Sequence, residues 1–457
     1  MSLGSRFYRQ KGRVTMDENE LMGSMKVSKA VAKMAIPSVI SSLVTVVYNM
    51  ADTFFVGQTG DPLQVAAVSL TNPIFILFMA FANMFGMGGS AAASMALGEK
   101  KEKRVKQVSS FITYASLIVG IVFAVILLVG MQPVLQLFGA DADTYELAKG
   151  YTTYISYGAP FIIWSAAASF VVSADGASRE AMTGSMIGTV ANIILDPIFI
   201  SGFGMGAAGA AIATTIGNIM ASVYYLWYFC RKSRNMSMAF RYFKCGDRIL
   251  SQVCSAGLPT AIFSALMSIS TIILNQILVA YGNAPVAAIG IVFKANMFIT
   301  FLQMGLANGV QPLLGYSYGA GNRERFITVE RYTKKCCLIV GVLATALFFF
   351  FREPIIRLFI SDTEVINYGV EMLIAYMISG PVIGILFMNM NCMQSTGNAL
   401  PATILSILRQ GVLLIPVLYG LNALLGLHGV IYGQALTDYV AVLLSIVIWR
   451  WKRRKTL

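Results

Sequence analysis

Five ionisable side chains interrupt long apolar stretches of this chain: Asp52, Asp196, Lys294, Arg409 and Asp438. An ionised group in such a stretch is costly and marks a functional candidate by default. Spacing alone gives one of them partners. Asn192 precedes Asp196 by four residues, so an amide and a carboxylate share one helical face. The next stretch returns from the same side, and helix rise puts Thr214 about 12 Å into it, level with Asn192. Asp52 and Asp196 each lie roughly 6 Å short of the outer end of their stretches. Asp52, Asn192, Asp196 and Thr214 thus form one band of oxygen ligands. Such a set suits a hard monovalent cation such as sodium, or carboxylates that exchange protons.

The other intramembrane residues leave more than one reading open. Lys294, about 13 Å into its stretch, reads as a counter-ion to the carboxylates, a gate that repels substrate, a binder of anionic groups, or a lysine snorkelling to the interface. Arg409 lies some nine residues in from the basic side and reads as snorkelled rather than functional. Asp438 sits near the middle of the last stretch, where a pairing with Arg409 is open to it. His428, the only histidine, falls at the outer start of that stretch, exposed and unpartnered, so a proton relay is not expected there. Pro37 precedes Asp52 by fifteen residues and either permits a kink or simply begins a helix. Its counterpart Pro259 reads as helix entry. Met50 and Met297 belong to 25 methionines, whose flexible thioethers suit a promiscuous cavity, although most are ordinary packing.

These residues need elements to hold them, and composition says what kind. Of 457 residues 57% are hydrophobic and only 12% charged. That charged share is about half that of a soluble domain, and a water-soluble fold this apolar would expose large patches. Lipid is therefore the main solvent. Twelve candidate spans follow, at 34–56, 65–93, 107–130, 145–173, 181–200, 206–230, 250–280, 286–316, 330–351, 365–393, 400–420 and 427–449. The expected fold is an all-α membrane protein of two six-helix bundles, 34–230 and 250–449. A segment at 1–33, a linker at 231–249 and a basic tail at 450–457 complete it.

The net charge of +13 raises the question of a nucleic-acid partner, and its placement answers it. Of 34 Lys and Arg, 29 fall in 1–33, 98–107, 231–248, 323–335 and 450–455 and at Arg179. Connections on the other side hold only Lys149, Arg352 and Arg357. That is the bias of a positive-inside topology facing anionic lipid. It predicts a multi-pass inner-membrane protein with both termini cytoplasmic and no nucleic-acid partner. None of the six cysteines falls in an external connection or in metal spacing, so free thiols are expected. Residues 1–29 lack the apolar core of a cleavable signal, and Met16 is an alternative start.

The halves repeat at an offset of about 221 residues. Ala35-Ile36-Pro37 corresponds to Gly257-Leu258-Pro259, and Val65-Ala66-Ala67-Val68 to Val286-Ala287-Ala288-Ile289. Gly158-Ala159-Pro160 corresponds to Ser379-Gly380-Pro381, and Ala174-Asp175-Gly176 to Ser395-Thr396-Gly397. Six spans per half keep the repeats parallel, an arrangement that places a substrate path between the halves.

The run Asn49-Met50-Ala51-Asp52-Thr53-Phe54-Phe55-Val56-Gly57, with Val65-Ala66-Ala67 and Asn192-Ile193-Ile194-Leu195-Asp196-Pro197, resembles the multidrug and toxic compound extrusion family. The resemblance covers the chain from about residue 30. It implies a V of two six-helix bundles and cation-coupled export of amphipathic, often cationic, organic compounds. It also implies a branch similar to DNA-damage-inducible protein F. The acid, Asn–Asp pair and Thr that this branch uses fall on Asp52, Asn192, Asp196 and Thr214. The second-half acids of the other well-known branch are absent. The expected protein is a monomeric sodium or proton antiporter for drug-like compounds, with no cofactor beyond the coupling ion. A flippase for lipid-linked precursors is the rival, disfavoured because only Lys294 and Arg409 are available to hold a pyrophosphate. An intramembrane enzyme is less expected still, because no clustered Cys/His/Asp set or Gly-x-Ser-x-Gly elbow occurs.

Overall fold

The computed structural model describes residues 20–246 and 248–456. Met16, the segment before residue 20 and Asp247 of the mid-chain connection lie outside the described residues. Among the described residues the chain is helical throughout, with no strand. The first half comprises α1 (Val27–Gly57), α2 (Pro62–Gly98), α3 (Glu102–Val129), α4 (Tyr145–Ala174), α5 (Ser178–Gly202) and α6 (Gly206–Lys232). The second comprises α7 (Ile249–Val279), α8 (Asn283–Gly319), α9 (Arg323–Phe350), α10 (Thr363–Ile378 with Gly380–Ser395), α11 (Ala399–Leu425) and α12 (Leu427–Thr456).

Every expected span is a helix, and several run further than hydropathy indicated at the basic end. Thus α1 starts at Val27, α9 at Arg323, and α12 reaches Thr456. Hydropathy registers only the part in hydrocarbon, whereas the backbone bonds propagate into the polar ends. Some starts carry side-chain caps. Asp61 accepts from the Leu63 amide at 3.0 Å ahead of α2, and Asp362 accepts from Glu364 and Val365 at 2.9 and 3.0 Å ahead of α10. The tenth span bends by 45° at Ser379, where Pro381 lacks an N–H and crowds the preceding turn. One expectation needs correction. Pro259 is not a helix entry; it lies ten residues inside α7, as Pro37 does in α1.

Close backbone contacts between the two halves form a seam toward the basic end of the helices. There a side chain is missing wherever backbones touch. A methyl at Gly257 of α7 would lie 1.8 Å from the Met84 carbonyl oxygen, and one at Gly88 of α2 1.9 Å from that of Val253. Between α2 and α8, Gly98 would meet the Tyr316 carbonyl at 2.2 Å and Gly319 that of Met95 at 2.1 Å. Between α8 and α1, Gly305 approaches Val39 and Ser42, and Gly309 approaches Ala35 and Ser38, within 2.7–2.9 Å. Close helix contact through small residues is the normal route to packing in lipid, where the hydrophobic effect does not hold helices together.

Polar ties reinforce the same end. Arg325 of α9 donates to the carbonyls of Leu21, Met22 and Met25 at 3.1, 2.9 and 2.8 Å, strapping the segment before α1 onto the second half. Arg104 donates to Gln252 across the halves at 2.8 Å. The mid-chain connection is anchored on the first half, where Asp175 accepts from Tyr228, Ser233 and Asn235 at 2.7–2.9 Å. Further out, the face of α8 that packs on α1 at Gly305 is exposed at Gly290 and Lys294, so the two halves stand apart there and leave a cleft.

The seam makes a contrast of two glycines testable. Gly257→Leu forces backbones apart and should lower stability by about 1–3 kcal/mol or more, read as a reduced thermal midpoint of purified protein. Gly290→Ala on α8, with open space around it, should be neutral or raise the midpoint, since alanine favours a helix by about 1 kcal/mol over glycine.

Candidate functional site

The oxygen band expected from spacing is assembled where α5 and α6 cross. Gly188 and Gly217 bring the two backbones together, a methyl on Gly217 falling 2.5 Å from the Gly188 carbonyl oxygen. One turn further from the basic end stand Asn192 and Thr214. Asn192, Asp196 and Thr214 are 2%, 0% and 4% exposed, so all three are sealed from lipid and from the cleft. The Asn192 amide nitrogen lies 3.3 Å from Asp196 Oδ1 and 3.2 Å from Thr214 Oγ1. Turning the amide over improves both ends. Its nitrogen then donates to Asp196 Oδ2 at 3.1 Å, and its oxygen accepts from the Thr214 amide and hydroxyl at 3.0 and 3.2 Å.

Asp52 completes the band from α1, which packs beside α5. One of its oxygens, Oδ1, is buried with no donor. Asp52 and Asp196 are close enough to act on one another electrostatically, and both act on Tyr48 and Tyr151. Tyr48 Oη is 3.3 Å from Thr214 Oγ1 and links α1 to α6. Sequence reasoning passed over both tyrosines. Tyr48 had a signal, since it precedes Asp52 by one helical turn on the same face. Tyr151 had none, because it arrives from α4 through packing alone. Beyond Asp196, Pro197 is followed by a π-helical turn at Ile198–Gly202, a distortion frequent at functional sites.

Chemically the band offers two carboxylates, an amide oxygen and hydroxyls, with one carboxylate oxygen left unsatisfied. An orphaned buried anion of this kind is relieved by a cation or a proton. The donor set fits a hard monovalent ion in type. No cluster of three or more His, Cys, Asp or Glu suited to a transition metal occurs among the described residues.

The second half treats its charges differently. Arg409 Nε donates to Asp438 Oδ1 at 2.8 Å, with both side chains under 8% exposed. Ser379 donates to the other Asp438 oxygen at 2.8 Å and Gln434 to Oδ1 at 3.0 Å. Arg409 is therefore not snorkelled. Its weakly hydrated guanidinium stacks between Phe263 and Phe387, 5.2 and 5.7 Å from their ring centres, and finds its counter-charge inside the bundle. A π-helical turn at Leu408–Leu413 carries it. His428 also has a partner that was not expected, Glu371 Oε1 at 2.6 Å, at the exposed outer end. Their two helices pack side by side there, which sequence distance hid. Lys294 is exposed and makes no ion pair among the described residues, so it is not the counter-ion of Asp52 or Asp196 in this arrangement. Met50 and Met297 are half-buried, and Pro37 is buried inside α1 near the seam.

Helices long and apolar enough to cross a membrane, arranged in two like halves, define a multi-pass membrane protein. Comparison with known proteins gives the family. The sequence profile of the MatE family matches residues 37–198 and 259–419, once in each half. The multidrug export protein MepA of Staphylococcus saprophyticus is 32% identical over 422 residues, covering 92% of this chain and 93% of its own length. The same protein from Staphylococcus aureus gives the same figures. A solved structure described as the outward-facing conformation of a multidrug resistance MATE family transporter of the MOP superfamily aligns with a TM-score of 0.91. Its identity is 25%, over 96% of this chain and 98% of that one. The chain belongs to the MATE family of multidrug export transporters, and it is not an enzyme.

The Arg409–Asp438 pair yields a stability prediction. Arg409→Met leaves a buried carboxylate uncompensated and should cost about 3–5 kcal/mol, while Arg409→Met with Asp438→Leu should recover most of the loss. Thermal unfolding of the wild type, both single variants and the double variant measures the coupling.

Proposed function

We infer that the chain exports amphipathic, often cationic, organic compounds in exchange for sodium ions or protons, alternating between cleft-outward and cleft-inward states. The observation that carries the coupling is the donorless buried oxygen of Asp52 beside the Asn192–Asp196–Thr214 network. A group in that condition favours whichever state lets a cation reach it. Asp52 stands on α1, which is wedged between α5 of its own half and α8 of the other. Occupation of the site therefore bears directly on the helix that forms part of the seam. Filling the orphan oxygen lets α1 settle against α5 and α6 through Tyr48 and Asn192; emptying it favours movement of α1. The positive-inside rule places the basic end in the cytoplasm, and on that reading a cleft at the other end opens outward.

The flippase alternative draws no support from the cleft. A pyrophosphate calls for several cationic groups in one place, and Arg409 is already committed to Asp438.

Efflux of a fluorescent organic cation from proteoliposomes, with sodium and pH gradients imposed separately, tests this reading. One gradient should drive export in the wild type. Asp52→Asn and Asp196→Asn should each lower gradient-driven export by tenfold or more at normal expression, as expected when a carboxylate that binds the coupling ion is neutralised. Full gradient-dependent export by both variants would remove the band from the mechanism.

A further inference from the structure

Lys294 is the one intramembrane charge that neither the coupling band nor the buried ion pair absorbs. Its position on α8 can be fixed from the seam. Gly305 of α8 lies against Val39 and Ser42 of α1. Lys294 is eleven residues nearer the outer end of the same helix, which is about three turns and so the same face. It therefore points across the cleft toward the first half, about 16 Å outward of the seam. Gly290 and Met297, one turn to either side, continue that face. On α1, Asp52 is ten residues outward of Ser42, about 15 Å above the seam. The two charges stand on opposite halves at one height, Asp52 turned toward α5 and α6 of its own half.

Depth makes this placement consequential. Lys294 is about 16 Å from the outer start of α8 at Asn283, too deep for an exposed ammonium to face hydrocarbon without a large cost. An aqueous cleft removes that cost and leaves the ammonium free to bind. With Asp52 ionised the walls carry one charge of each sign. With a coupling cation on Asp52 the cleft keeps a single positive charge. An organic cation then meets repulsion, while an anionic group on the same molecule keeps a partner.

We propose that Lys294 is a specificity-determining residue that binds the anionic group of zwitterionic or anionic amphiphiles within the cleft. The inference rests on the export reading above, and adds that the cleft is not selective for plain cations. Lys294 acts by a charge-assisted hydrogen bond from Nζ to a carboxylate, of the kind that changes affinity about tenfold or more.

A rhodamine carboxylate and its methyl ester form a matched probe pair, identical except for the anionic group. Equilibrium binding of each to the purified full-length protein in detergent, by fluorescence polarisation at neutral pH, gives a ratio of affinities. Lys294→Met should shift that ratio about tenfold toward the ester, and Lys294→Arg should keep the wild-type ratio. An unchanged ratio in Lys294→Met overturns the proposal, as does failure of the wild type to bind either dye. Because this measurement needs no membrane or gradient, its outcome is separate from that of the vesicle efflux experiment. A transporter that exports but shows no charge-dependent ratio sinks only the role of Lys294.

Discussion

A carboxylate oxygen buried without a donor is among the least stable arrangements a membrane helix can hold, and Asp52 holds one. Much of the first half can be read as the means of keeping it there. Gly188 and Gly217 let α5 and α6 touch, which places Asn192, Asp196 and Thr214 behind it. Tyr48 ties α1 to that pair through Thr214. The second half faces the same constraint at Asp438 and removes it, with Arg409, Ser379 and Gln434 all donating to one carboxylate. One half leaves an anion in need of a cation; the other builds the cation in. The first arrangement leaves an oxygen without a partner, whereas the second resists change because separating its partners would expose both charges to a low dielectric.

The architecture was legible because lipid allows few alternatives. Apolar length gave twelve helices, basic residues ordered the connections, and the 221-residue repeat paired the halves. The band at Asp52, Asn192, Asp196 and Thr214 was legible too, because helix rise converts spacing into depth. What escaped the sequence depends on which helices become neighbours. Arg409 looked like a snorkelling residue because nothing local announced Asp438, 29 residues away, as its partner. His428 looked unpartnered because Glu371 reaches it from α10. Pro381 was visible, but its bend was not, since proline permits a kink without requiring one.

The seam and the cleft differ in mechanical character as well as position. At the basic end, glycines bring backbone against backbone on α2, α7 and α8, with carbonyl oxygens where a methyl would otherwise sit. Such contact is rigid, because no rotamer change can relieve a collision with backbone. Further out, α7 and α2 carry longer exposed side chains, among them Met267 and Leu77, which are 46% and 43% exposed. Thioether and aliphatic chains give way and refill, so one wall can meet substrates of different shape.

Shape tolerance of that kind leaves charge as the main basis for discrimination within the cleft. Apolar walls that repack gain similar energy from most amphiphiles of similar area. A fixed charge cannot be repacked away, and at this depth water is its only competitor for a ligand. A fixed ammonium such as that of Lys294 therefore discriminates between ligands more sharply than the flexible methionines can. On the export reading the Asp52 carboxylate takes the coupling ion, so its influence on a substrate changes with occupancy. The ammonium has no such second duty, and it stays the constant term in the field a substrate meets.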